Sequence, residues 1–401
     1  MPSELISVTE ARSLIESHVL LLSSVKVALM DASGLVLSDN VYSKTDVPPF
    51  NQSSMDGYAI NFDSWKKLGE LRIVGEVAAG SPTEERLEFQ NAVRIFTGAP
   101  IPPGADTVVM QEKVALRAGS LIIEDENLAK GMNFRERGSE IKSGAIALEK
   151  GVIMSPAAIG YLAGVGVNEI NAYPTPSVSI ILTGDELQEP GKALKHGQVY
   201  ESNSFALSAG LRQMGVSKIE FVKSEDNLET LTGVIGQALE KSDVILLTGG
   251  VSVGDYDFVV RAVKANGVDQ IFHKIRQKPG KPLFFGKKDR KIIFGLPGNP
   301  ASVLSCFYEY VLPALTQMSG RKTSLNSLKV KLETALSKPA GLTQFLKGYY
   351  NGDSVSDLKA QESFRLSSFA KANCLIKLEE ERTDFSENDL VEIHLLPEYY
   401  G

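Results

Sequence analysis

The sequence predicts a multidomain protein of mixed α/β and β class: a central α/β domain on a parallel sheet, a small β domain before it and a compact β module after it. Three observations carry this. The chain has 401 residues, more than one hydrophobic core serves. From Ser177 to Lys264, apolar strand-like runs alternate with helical patterns of about 10–15 residues, which implies parallel strands with helices on both faces. On either side, between residues 58 and 150 and again after Gly320, alternating apolar runs are punctuated by Gly and Pro.

Composition narrows the function. The chain is 43% hydrophobic and 23% charged, as an ordinary soluble globular protein is. Its 42 basic and 49 acidic residues leave a net charge of -7, which argues against a nucleic-acid partner. Cys306 and Cys374 are far apart, so neither a disulfide framework nor a zinc cluster is expected; Cys306 lies in an apolar helical pattern and reads as core. His18, His196, His273 and His394 show no metal-ligand spacing. The N-terminus lacks a signal-peptide pattern, and no apolar run nears the ~20 residues that span a bilayer. A cytoplasmic protein without a membrane partner is expected.

Taken in order, Ser7-Val-Thr-Glu10 is a capping-box pattern opening a helix through Leu20. Its apolar side, with Ala11, Leu14, Ile15, His18 and Val19, reads as a packing or dimer face. Val25 to Val41 alternates around the turn Asp31–Gly34 and reads as a hairpin or short strands. In Pro48–Ala59, Asp56 precedes Gly57, and by itself reads as a turn aspartate. Strands are expected at 58–62, 71–77, 92–96, 106–110, 121–124 and 145–148. Thr97 follows one of them, as a turn hydroxyl or a ligand contact. Pro156 to Ala163 is a short helix, and Pro174 and Pro176 mark a linker.

The α/β pattern then has strands at 177–182, 218–222 and 243–248, and helices at 203–214, 228–240 and 256–264. Thr183-Gly-Asp-Glu186 and Thr248-Gly-Gly-Val251 follow strands, where ligands of such sheets bind. A hairpin is expected at 283–285 and 291–294. Asn299 is a plausible cap and Pro300 a first residue for the helix 301–315. The last module has strands near 328–332, 342–350, 375–379 and 390–395. The chemistry gathers at Leu246–Asp257 and Lys274–Pro300. Glycine loops and a helix start accommodate phosphates, Asp255 and Asp257 suit Mg²⁺, and Lys274, Lys278 and Lys281 suit an oxyanion. These residues describe a site for a phosphorylated ligand.

Six stretches in register, Pro48–Ala59, Thr97–Pro100, Thr183–Leu187, Gly249–Asp257, Lys278–Pro282 and Gly295–Pro300, resemble the molybdopterin molybdenumtransferase family, MoeA and the gephyrin E domain. The resemblance covers residues 7–396 and is weakest beyond 325. It implies four domains: a helix-containing domain of 1–47 plus 141–175, an inserted β domain of 48–140, an α/β molybdopterin-binding domain of 176–324 that resembles molybdopterin-adenylating proteins, and a C-terminal β barrel of 325–401. It also implies a homodimer whose active site joins the α/β domain of one subunit to the second domain of the other.

The implied reaction inserts molybdate into adenylylated molybdopterin with Mg²⁺ and releases AMP. Asp56, Thr97, Glu186, Asp226, Asp257, Lys274 and Lys278 are the implied active-site residues, with Glu186 and Asp257 on the metal. Gly249, Gly250, Ser252, Lys281, Gly298, Asn299 and Ser367 are assigned to ligand binding. The implied partners are a molybdopterin-adenylating protein and molybdoenzyme maturation proteins. Glu140 stands where the family has aspartate, and Lys347-Gly348 where it often has Arg-Gly; Lys347 and the pair Ser367-Ser368 are possible ligand contacts. No residue separates molybdate from tungstate, so a tungstate-inserting paralogue is an alternative. A gephyrin-like scaffold is another, expected to add a long linker and further domains.

Overall fold

A computed structural model describes residues 5–82, 85–250, 258–321 and 326–397. The chain forms two compact units, one of Met1–Val25, Gly34–Val36 and Tyr173–Gly401, the other of Lys26–Ser33 and Leu37–Ala172.

The first unit is organised by a six-stranded sheet in the order Ile219–Ser224, Val178–Thr183, Val244–Thr248, Lys291–Leu296, Phe284–Lys288, Asp269–His273. The first four strands are parallel, as the βα alternation predicts. The last two are antiparallel, and the edge strand Asp269–His273 is an addition to the expected set. The tight turn at Asp289-Arg290 accounts for this reversal, because parallel neighbours need a long crossover and a two-residue turn joins antiparallel ones.

Successive residues divide between two cores, as the pleat requires. Ile180, Leu246 and Ile292 join one apolar cluster, and Ile181, Leu247 and Ile293 the other. The first cluster is covered by the helices Asn203–Gln213 and Pro300–Cys306 and by the N-terminal helix Val8–His18. The second is covered by Leu228–Lys241 and Phe258–Ala265. Ser7 caps the N-terminal helix, its Oγ accepting the Glu10 N–H at 3.1 Å. Ala11, Ile15 and Val19 from its expected apolar side are buried in the first cluster, so this face is a packing face within the unit. Cys306 is buried there too, a free thiol pushed up by desolvation.

The expected helix 301–315 continues to Met318 but changes gauge. An α-helical stretch Pro300–Cys306 passes through a π-helical turn, Phe307–Val311, into Leu312–Met318. Pro313 has no N–H for the carbonyl four residues back, which accounts for the widened turn. The C-terminal module is a closed five-stranded barrel. Thr343–Tyr350 pairs with Ser354–Asp357 and Cys374–Leu378, and Ser327–Leu332 and Leu390–Leu395 complete the ring. Gln277–Lys278 adds a short parallel edge against Thr343–Gln344 and so ties the lysine loop to the barrel.

The second unit carries a six-stranded sheet in the order Thr107–Met110, Gly57–Ile60, Asn91–Ile95, Glu70–Val77, Ser120–Ile123, Val114–Arg117. The strand expected at 58–62 ends at Ile60, because Asn61 caps a helix, Phe62–Leu68, by accepting the Ser64 N–H at 3.0 Å. Only glycine fits at position 57, where a Cβ would lie 1.9 Å from the Val109 carbonyl oxygen. No helix among the described residues is long and apolar enough to cross a membrane.

Candidate active site

A cleft of about 940 Å³ lies within the first unit, between the carboxyl ends of the sheet strands and the barrel. The βα loops bring its residues together, as expected of an open α/β sheet. Glu186 and Asp226 stand on one side. Gly249 and Gly250 form the next turn, at φ +85° and +65°, and the Thr183 hydroxyl ties two strand ends by donating to the Thr248 carbonyl at 3.3 Å. Lys278 and Lys281 come from the lysine loop, and Gly298 and Asn299 from the start of the long helix. All these expected residues line one cleft.

The acidic side is electrostatically crowded. Partial burial pushes the Asp226 carboxyl above its ordinary 3.8, and the charges of Asp185 and Glu186 push it the same way. Lysines and helix-start amides line the same cleft, which can therefore bind an extended anion while holding a cation at the carboxylates. Among the described residues no three His, Cys, Asp or Glu side chains form a ready metal cage. Ser252 and Asp257, both expected here, lie outside the described residues.

Other expected residues stand elsewhere. Lys274 sits at the base of the lysine loop at φ +81°, its N–H donating to the Leu283 carbonyl at 3.0 Å. Ser367 is exposed on the short helix Leu366–Phe369, while Ser363 lines the cleft. Asn299 occupies the cap position, but its side chain does not cap; its Nδ2 donates to the Ser363 hydroxyl at 2.8 Å. Lys347 is buried rather than facing the cleft. Its Nζ donates to the carbonyls of Ala360, Glu362 and Arg365, and desolvation pulls its ammonium down. Lys347 therefore shapes the barrel loop 357–363 that walls the cleft. That loop adds Lys359, which is paired with Asp357 at 2.8 Å. Asn203 holds the glycine turn of the helix start, donating to the Gly298 carbonyl at 2.9 Å. The sequence marks Lys359 and Ser363 by no motif, and Asn203 only as a residue at the head of a helix.

Asp56 and Thr97 belong to the second unit and meet each other there. The Thr97 N–H and hydroxyl both donate to Asp56 Oδ1 at 2.8 Å. These bonds, the backbone one first, hold the Asp56 carboxyl below its ordinary value, and the Arg94 charge adds to them. Arg94 is fixed by the Gly57 carbonyl at 2.9 Å and by the rings of Tyr58 and Phe96. The pair thus presents an ionised, oriented carboxylate. Glu140 is exposed in the same unit, its N–H donating to the Val47 carbonyl.

Comparison with known proteins finds matches along nearly the whole chain. Residues 6–166 match the model of the MoeA N-terminal region, domains I and II; residues 179–317 match a probable molybdopterin binding domain; residues 329–396 match the MoeA C-terminal region, domain IV. The chain is 34% identical to a molybdopterin molybdenumtransferase of Haemophilus influenzae, over 92% of this chain and 94% of that one. It is 31% identical to one of Staphylococcus aureus, over 97% and 95%. The crystal structure of a molybdopterin biosynthesis MoeA protein from Pyrococcus horikoshii superposes with a TM-score of 0.86 at 27% identity, covering 99% of this chain and 100% of that one.

Proposed function

This chain belongs to the molybdopterin molybdenumtransferase family, and from that premise we propose that its cleft inserts molybdate into adenylylated molybdopterin and releases AMP. The family places the protein in molybdenum cofactor biosynthesis as a transferase. The observation that supports the finer reading is that Glu186, Asp226, Lys278 and Lys281 all line one cleft.

The residues divide the work by charge. Lys278 and Lys281 bind the oxyanions, molybdate and the pyrophosphate oxygens, and orient them by their loop. The glycine turn Gly249-Gly250 lets backbone approach the phosphates, and the helix start at Gly298-Asn299 offers further donors. The carboxylates fit a divalent cation: Asp226 is crowded by like charges, which a cation relieves. Glu186 and Asp226, with Asp257, would hold Mg²⁺, which would neutralise charge on the pyrophosphate. The protein is a homodimer in this reading, and Asp56 with Thr97 serves the cleft of a partner subunit. The substrate comes from a molybdopterin-adenylating protein, and molybdoenzyme maturation proteins receive the product.

The test is direct. Purified protein given adenylylated molybdopterin, molybdate and Mg²⁺ should release AMP and yield active cofactor. Lys278→Ala should slow AMP release about a hundredfold, the loss typical of one anion-stabilising donor. No AMP from authentic substrate, or a wild-type rate in Lys278→Ala, would defeat the assignment.

A further inference from the structure

The lysine loop is held at its neck by backbone. Lys281 accepts the Ile275 N–H at 3.0 Å and the Leu283 N–H at 3.1 Å, and Arg276 is bonded through its N–H to the Ile6 carbonyl at 2.8 Å. Its tip is held differently. Behind the tip lies the Gln277 side chain, 1% exposed, with both halves of its amide engaged. Nε2 donates to the Pro279 carbonyl at 2.9 Å and the Gly280 carbonyl at 3.3 Å. Oε1 accepts the hydroxyl of Tyr310, which is also 1% exposed and lies in the π-helical turn.

The tip rests closely on this support. A Cβ at Gly280, at φ +90°, would lie 2.7 Å from Gln277 Nε2 and 2.5 Å from Cys306 Sγ. Two carbonyls facing the amide require Nε2 on that side, so Oε1 must find its donor on the other. Tyr310 supplies it, and burial together with Glu309 and Cys306 pushes its phenol up, so the hydroxyl keeps its proton. The same long helix therefore presents its start to the cleft and, one turn beyond Cys306, supports the loop that carries the lysines.

We propose that Gln277 and Tyr310 are a positioning pair, which sets the tip of the Lys278–Lys281 loop and thereby the anion affinity of its lysines. The proposal rests on the reading of these lysines as oxyanion ligands. Gln277 borders the cleft, but its amide is spent on the Pro279 and Gly280 carbonyls and on Tyr310, so in this proposal the pair acts through the loop rather than by contact with the anion. A buried amide deprived of its donor turns or retreats, since leaving it unpaired costs more than the bond itself returns. The loop tip then loses its register while the neck and the fold persist.

The experiment compares wild type, Tyr310→Phe, Gln277→Met and the double variant, all full length. Calorimetry with inorganic pyrophosphate should show binding about tenfold weaker in Tyr310→Phe, and the double variant should bind no more weakly than Gln277→Met, because both changes act on one bond. In turnover, KM for molybdate should rise by the same factor while kcat at saturation stays within about twofold, a split that general loss of structure would not give. Wild-type affinity in Tyr310→Phe, or losses that multiply in the double variant, overturns the pair. A wild type that binds pyrophosphate, weakens in Tyr310→Phe and yet releases no AMP overturns the transferase reading while supporting the pair. A wild type that binds no pyrophosphate overturns both.

Discussion

Asp226 and Asp56 are one residue type in two neighbourhoods, and their carboxyls are driven in opposite directions. Around Asp226, partial burial and the charges of Asp185 and Glu186 raise the carboxyl above 3.8. Around Asp56, the Thr97 N–H and hydroxyl, aided by Arg94, lower it below 3.8. The first neighbourhood gathers like charges, which a bound cation would settle; the second meets its charge with donors of the protein itself. Electrostatics thus separates a carboxylate crowded by like charges from one already met by donors, where sequence shows only Asp beside Gly or Asn.

The largest effects break the comparison at the level of activity. Asp226→Asn and Asp56→Asn should each lower AMP release about a hundredfold, the scale of losing one charged group from a reacting site. Mixing the two inactive variants sharpens the contrast. If Asp56 serves the partner's cleft, a randomly mixed population regains about a quarter of the wild-type rate, since half the dimers then hold one intact site of two. If both aspartates serve the cleft of their own subunit, mixing restores nothing. Measuring AMP release after co-expression of differently tagged subunits decides between these outcomes.

A smaller effect concerns the cation. Mg²⁺ bound to the folded protein stabilises it by mass action, by about 2.7 kcal/mol at a hundredfold excess over Kd. The wild type and Asp56→Asn should show this gain in thermal unfolding, and Asp226→Asn should lose it. Equal gains in all three proteins would remove the cation from Asp226 and leave the crowding there without a use.

Much of the framework was legible because it rests on local rules. The alternation that sends Ile180 and Ile181 to opposite cores is a period of two, and the Ser7 cap is a hydroxyl three residues before the N–H it accepts. The glycine turns and the lysine loop were legible as motifs with a mechanism. What escaped depends on distant partners. Lys347 reads as a cation free to reach a ligand, yet three carbonyls of the loop 360–365 enclose it. Gln277 reads as an ordinary polar residue beside Lys278, and only the fold places Tyr310 behind it. The helix Phe62–Leu68 is seven residues long and carries Phe and Trp, so its end signals, Asn61 and Asp63 at the start and Lys66, Lys67 and Gly69 at the finish, had too little periodic pattern between them to mark a helix.

The smallest prediction is the most discriminating in sign. Asp226 titrates above 3.8 when folded, so below 3.8 both folded and unfolded chains hold its proton and it costs nothing. As pH rises from 3.8 through the folded value, the unfolded chain releases its proton first, and a destabilising contribution sets in that is complete above that value. Asp56 behaves inversely: its stabilising contribution is complete above 3.8 and is lost as pH falls from there through its lower folded value. At pH 7 without divalent cation, Asp226→Asn should therefore melt above the wild type and Asp56→Asn below it. Both differences should be small, because both carboxylates are solvent-facing and screened. The Asp226 difference should close as pH falls to 3.8, whereas the Asp56 difference should begin to close only below it. Melting curves across this range that shift both variants in the same direction would mean that the two neighbourhoods are electrostatically alike, and that their roles differ only by what binds beside them.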